Sequence, residues 1–128
     1  RNERRGKLDL SPANHWFYGF GANVIGATHG HRCKTQKLPS IMAASVPKLW
    51  GNASDNGRAF YQGHLHHTKT EEHNGCVTHV MQTLAAPDAY AAGAGYISGR
   101  SMALDIYDRR DGFLTRHICT SERAGRKK

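Results

Sequence analysis

The sequence predicts an α/β unit, mostly β-strands with one or two short helices. Three observations carry this. Short strand-prone runs alternate with Gly, Asn and Asp turn signals, one proline-led stretch holds good helix formers, and two histidine clusters fall where strand runs end. A chain of 128 residues, 38% hydrophobic and 22% charged, has room for one core and the composition of an ordinary globular domain. That balance excludes a disordered polyelectrolyte. No apolar run approaches the length of a membrane span.

Taken in order, His15-Trp16-Phe17-Tyr18-Gly19-Phe20 is an aromatic strand, Gly21-Ala22-Asn23 a turn, and Val24 to Thr28 a second, buried strand closing a hairpin. Leu38 to Ala44 starts with a proline and continues with helix formers, which predicts a short helix ending before Pro47. Gly51 to Gly57 is a loop by composition. Arg58 to Gln62 is a strand that delivers Gly63 and the second histidine cluster.

Asn74-Gly75 turns the chain into a strand over Cys76 to Leu84, with Glu71 and Glu72 before it in a solvated turn. Pro87 to Gly99, rich in Ala, Gly and Tyr, predicts a short helix plus a loop. Ser101 to Tyr107 and Phe113 to Cys119 form a closing hairpin around Asp108-Arg109-Arg110-Asp111-Gly112. Domain organisation follows: a basic segment over residues 1–14, a folded unit over 15–120, and a basic tail over 121–128.

Net charge is +8, yet its placement matters more than its size. Residues 1–7 and 121–128 each hold four basic residues against one acid, while 8–120 holds ten against eight. Any affinity for nucleic acid is therefore expected from the ends. The first residues show no apolar stretch of a signal peptide and no starting Met, and the three widely spaced cysteines, Cys33, Cys76 and Cys119, form no disulfide or zinc-ribbon pattern. A cytoplasmic setting is expected, with the cysteines as small packing residues.

Nine histidines are many for this length, and their clustering gives them chemical meaning. Thr28-His29-Gly30-His31 ends one strand, and Gly63-His64-Leu65-His66-His67 ends another. Strand ends opening into loops present side chains to a ligand, and the neighbouring glycines let the chain turn sharply. In an extended segment His64 and His66 would share a face. Neutral imidazole suits Zn, Mn, Fe, Ni or Co, but His-x-His is also what an exposed polar loop carries. Carboxylate partners are not evident: Asp105, Asp108 and Asp111 fit the closing hairpin, and Asp55 and Asp88 fit loops or caps. His15, His73, His79 and His117 have no partner pattern.

The order strand, Thr28-His29-Gly30, long loop, strand, Gly63-His64-Leu65-His66 resembles the last two metal motifs of the calcineurin-like metallophosphoesterases. Leu38-Pro39, Trp50-Gly51 and the stretch from Leu84 to Ala89 bring the likeness nearest to phage and prophage members. The resemblance spans most of residues 15–120. It implies the C-terminal half of a four-layer αββα sandwich and a metal-dependent phosphoric ester hydrolase, acting on monoesters or on diesters including nucleic acid. It implies two divalent ions (Mn, Zn, Ni or Fe) about 4 Å apart, with His29 and His64 on one and His66 on the other. His31, His67 and Gly63 would lie around them or meet substrate.

The family's Asp-x-His, Gly-Asp-x-x-Asp and Gly-Asn-His-Asp/Glu motifs are absent from these residues, and His31 stands where relatives often carry an acid. The resemblance thus implies an incomplete site that needs an Asp-bearing N-terminal half or another chain as partner. The alternative is a non-catalytic remnant used for assembly or nucleic-acid binding.

Overall fold

Successive side chains on a strand point to opposite faces of its sheet, and β1 (His15–Phe20) and β2 (Asn23–Thr28) use this to separate a core face from an outer one. The computed structural model describes residues 11–85 and 98–121. The chain continues through a 3-10 turn (Thr35–Lys37), α1 (Leu38–Ser45), α2 (Pro47–Asn52), β3 (Arg58–Gln62), β4 (Lys69–His73), β5 (Cys76–Val80), β6 (Ser101–Asp108) and β7 (Gly112–Thr120). The result is a mixed α/β architecture. A five-stranded sheet runs β1-β2-β3-β5-β4, and β6 and β7 form a separate two-stranded sheet.

Within the larger sheet, β2, β3 and β5 are parallel, and β1 and β4 are antiparallel edge strands. Both helices pack on one face. There Val24, Leu38, Met42, Ala53, Phe60 and Cys76 form the core, with Phe17, Ile41 and Trp50 against it. Phe17 meets Phe60 edge to face at 6.0 Å. The Cys76 thiol is pushed up to about 12 by burial, which makes it a packing group and not a nucleophile. All three cysteines are free.

On the opposite face sits the β6–β7 hairpin. The Asn23 amide donates to the Phe20 and Asp108 carbonyls at 2.9 and 2.8 Å, tying the β1–β2 turn to the hairpin tip. Phe113 N–H donates to the Asn56 carbonyl at 3.0 Å. The tip is organised by Asp108, whose Oδ1 accepts from the Arg110 and Asp111 backbone N–H groups at 2.6 and 3.0 Å. These bonds hold its carboxyl below the usual range.

The structure departs from the sequence reading in several elements. Glu71 and Glu72 lie in β4, not in a solvated turn. The Glu71 carboxylate accepts from the Thr35 hydroxyl at 2.5 Å and pairs with Lys69 at 2.9 Å, and the Asn74-Gly75 turn, positive in φ at both residues, folds β4 back on β5. Pro47 begins a second helix where a stop was expected, because proline at the first helical position lacks only an N–H that would have no partner there. The strand read to Leu84 ends at Val80. The expected helix and loop over Pro87 to Gly99 fall largely outside the described residues, as do most of the two basic ends.

Candidate functional site

Parallel neighbours end side by side, and ligands gather at the carboxyl ends of such strands. Thr28 at the end of β2 lies opposite Gln62 at the end of β3. The Gly63 N–H donates to the Thr28 carbonyl at 3.3 Å, so the two histidine motifs leave the sheet together. Their first histidines then meet. His29 Nε2 and His64 Nδ1 are 3.2 Å apart, one donating to the other according to tautomer, with ring centroids at 4.9 Å.

His31 joins them, with its ring 5.3 Å from His29 and 6.1 Å from His64. Its pKa is lowered by lost solvation first, then by Arg32, His29 and His64. Gly30 makes this arrangement possible. Its φ of 94° is one that residues with a Cβ rarely adopt, and a Cβ there would collide with the Gln62 side chain.

The second motif is not extended, which corrects the shared-face reading of His64 and His66. β3 ends at Gln62, Leu65 N–H donates back to the Gly63 carbonyl at 2.8 Å, and His64 and His66 have φ of 66° and 55°. Left-handed backbone at a non-glycine residue costs about 1–2 kcal/mol, and such strain is concentrated at functional sites. His66 is held by its backbone, whose carbonyl accepts from the Ser98 hydroxyl at 2.5 Å. Among the described residues, no ring contact or hydrogen bond joins its imidazole to His29, His31 or His64. His67 Nδ1–H donates to the Leu65 carbonyl at 3.1 Å, which leaves Nε2 as its acceptor.

The donor set can be compared with what a divalent ion requires. Two ligand nitrogens at about 2.0–2.1 Å from one ion stand roughly 3.3 Å from each other in tetrahedral geometry. The 3.2 Å separation of His29 Nε2 and His64 Nδ1 matches that edge. Beyond this pair the fit stops: among the described residues, no group of three or more His, Cys, Asp or Glu side chains is arranged to hold an ion. Asp105 is committed elsewhere, to Arg116 and Tyr61. Asp88 lies outside the described residues.

Gln62 is the site residue that sequence reasoning missed. It is 2% exposed, and its Nε2 donates to the Gly30 carbonyl at 3.3 Å, linking the two histidine motifs from beneath. Its one visible signal was a polar residue in the last position of a core strand, directly before Gly63. Next to the histidines a cleft of about 570 Å³ opens between the loop after β2 and the segment joining β3 to β4, lined by Gly30, His31, Arg32, Lys34, Gln62 and His67 among others.

No protein-family model matches the chain, and no curated protein matches it in sequence. In structure it is similar to a Vps29 double mutant from Entamoeba histolytica. The likeness has a TM-score of 0.44 at 14% identity and covers 90% of this chain. The chain spans 66% of the length of that protein. No helix among the described residues is long and apolar enough to cross a membrane.

Proposed function

We propose that this chain supplies the imidazole half of a metal site for phosphate-ester hydrolysis, and that it acts together with a segment or chain that brings carboxylates. The observation that carries this is the approach of His29 Nε2 and His64 Nδ1 to 3.2 Å at the carboxyl ends of two parallel strands. Further support comes from the His-Gly and Gly-His-x-His motifs that hold them. His29 and His64 would hold one divalent ion, and the motif resemblance gives His66 to a second. An ion so held supplies Lewis-acid stabilisation of charge on a phosphoryl oxygen.

The chain's own residues do the rest. Gly30 and Gln62 fix the His29 loop, the left-handed turn at His64 aims its ring at His29, and Arg32 and Lys34 favour an anionic ester in the adjoining cleft. Two exposed apolar rows support the need for a partner. Trp16, Tyr18 and Phe20 line the outer face of edge strand β1, and Met102, Leu104 and Ile106 line the outer face of β6, with Leu104 at 63% exposure.

Without a bridging carboxylate, paired ions repel at close range with little compensation. The chain alone is therefore expected to be a poor phosphoesterase on an aryl phosphate or phosphodiester with Mn, Ni, Zn or Mg. Adding an N-terminal half that bears the missing Asp motifs should raise turnover by orders of magnitude. Full activity from the pure chain, abolished by His64→Ala, would overturn the half-site account.

A second reading, a non-catalytic assembly module, is favoured by the same missing carboxylates and exposed rows. Under it, the added half would bind without restoring turnover.

A further inference from the structure

Charge is spread unevenly between the two ends of the larger sheet. At the end where β2, β3 and β5 finish, the cleft beside the histidines is lined by Arg32, Lys34 and Lys69 and, among the described residues, by no acidic side chain. Glu71 partly neutralises Lys69 at 2.9 Å, which leaves Arg32 and Lys34 as the main attraction for an anion. At the other end, loops 53–58 and 108–112 set Asp55, Asp108 and Asp111 against Arg58, Arg109 and Arg110, and the charges cancel.

Both basic ends of the chain are anchored at the histidine end. The Thr28 hydroxyl donates to the Asn14 carbonyl at 2.8 Å, so the chain before β1 meets the sheet beside His29. Ser121 N–H donates to the Arg100 carbonyl at 3.0 Å, two residues from Ser98, whose hydroxyl holds the His66 carbonyl. Beyond these anchors, residues 1–13 and 122–128 carry eight basic residues against three acids, a net +5 of the chain's +8. Cations divided between a cleft and two tethered segments suit a polyanion better than a single small ester.

A second feature is independent of charge. Trp16 and Tyr18, which begin the outer row of β1, stack nearly parallel at 5.7 Å and 7° and are 42% and 50% exposed. Trp16 pairs with Ala27, two residues before His29. Exposed aromatic faces bind unpaired bases by stacking, a contact that an acidic peptide lacks and that a duplex keeps within itself.

We infer that the histidine end is a binding surface for single-stranded nucleic acid, with Arg32, Lys34 and the two basic ends on its phosphates and Trp16 and Tyr18 on its bases. The ester presented to His29 and His64 is then a phosphodiester of that nucleic acid. This substrate assignment rests on the phosphate-ester reading, whereas the binding itself needs no metal, so the two can fail separately.

Fluorescence anisotropy of the full 128-residue chain with a labelled single-stranded oligonucleotide of about 12 nucleotides, in EDTA, tests the surface. Arg32→Ala with Lys34→Ala should cut affinity about tenfold and lower the salt slope by about one or more. The same charge removed at the far end, by Arg109→Ala with Arg110→Ala, should change affinity less than about twofold. Trp16→Leu with Tyr18→Leu should weaken the oligonucleotide about tenfold and leave poly-glutamate, a weaker competitor, unaffected. Should that variant not fold, a shift of the Trp16 indole signal in the NMR spectrum of the parent chain decides. Equal loss from the two charge removals, equal affinity for duplex or poly-glutamate, or a Trp16 signal that stays in place would overturn the inference. Metal bound at His29 and His64 without oligonucleotide binding would refute this surface and keep the half-site; oligonucleotide binding without metal would keep the surface and refute the hydrolysis.

Discussion

The two faces of the five-stranded sheet are held by different physics. Under the helices, Val24, Leu38, Met42 and Phe60 are fully buried, and Gly26 lets the Phe60 ring lie so close that an added Cβ would strike it. Under the hairpin, the contacts are polar. The Tyr61 hydroxyl donates to Asp105 and meets the Tyr107 hydroxyl at 2.7 Å, and Arg116 grips Asp105 through two bonds of 2.6 Å. His79 stacks on Tyr61 at 5.2 Å and meets the Thr70 hydroxyl at 3.1 Å. One face depends on apolar area, which is insensitive to pH, while the other depends on groups that titrate.

Burial alone would raise the Asp105 carboxyl, but the Arg116 guanidinium and the Tyr61 hydroxyl outweigh it and hold it below the usual range. The His79 imidazole is pushed down to about 4, by burial first and then by Arg116. Attachment of the hairpin should therefore respond to acid before the helix-covered core does.

The largest expected effect comes from emptying the helix side. Phe60→Ala should cost about 3–5 kcal/mol in denaturant unfolding, with the same loss at pH 7.5 and pH 5. A loss that changes between those pH values would mean that the two faces are coupled.

Next in size is the pH response. As pH falls below the ordinary histidine value of about 6.5, the unfolded chain takes up a proton that folded His79 refuses until about pH 4, so stability declines across that window. The decline should reach roughly 3 kcal/mol and flatten in His79→Gln. A profile unchanged by that substitution would remove His79 from the account.

Smallest is the ion pair. Asp105→Ala strands the Arg116 guanidinium, but Arg116 keeps partial access to water, so the cost should be about 2 kcal/mol, below the range for a fully buried pair. The loss should appear as earlier hydrogen exchange in β6 and β7 than in β2 and β3. Uniform loss across both sheets would contradict a separately held hairpin.

What the sequence disclosed follows the same division. β1, β2, β3 and the closing hairpin were legible because their runs are aromatic, β-branched or bounded by turn residues. β4 was not: Lys69-Thr70-Glu71-Glu72-His73 has no apolar alternation, and its strand state comes from pairing with β5. α2 was hidden because Pro47 ends one helix and starts another. At the site, His29 and His64 were legible as strand-end histidines, but the left-handed turn that parts His64 from His66 depends on the loop closing back on Gly63. Burial of Gln62 is tertiary, and no local pattern announces it.

The central claim is that His29 and His64 form one edge of a metal site, and calorimetric titration of the chelator-stripped chain with Zn or Mn tests it most directly. One ion per chain is expected, with affinity reduced about 100-fold or more by His29→Ala or His64→Ala and the far-UV circular dichroism unchanged, since both side chains are exposed. Binding of the same strength in the His29→Ala, His64→Ala double variant would contradict it.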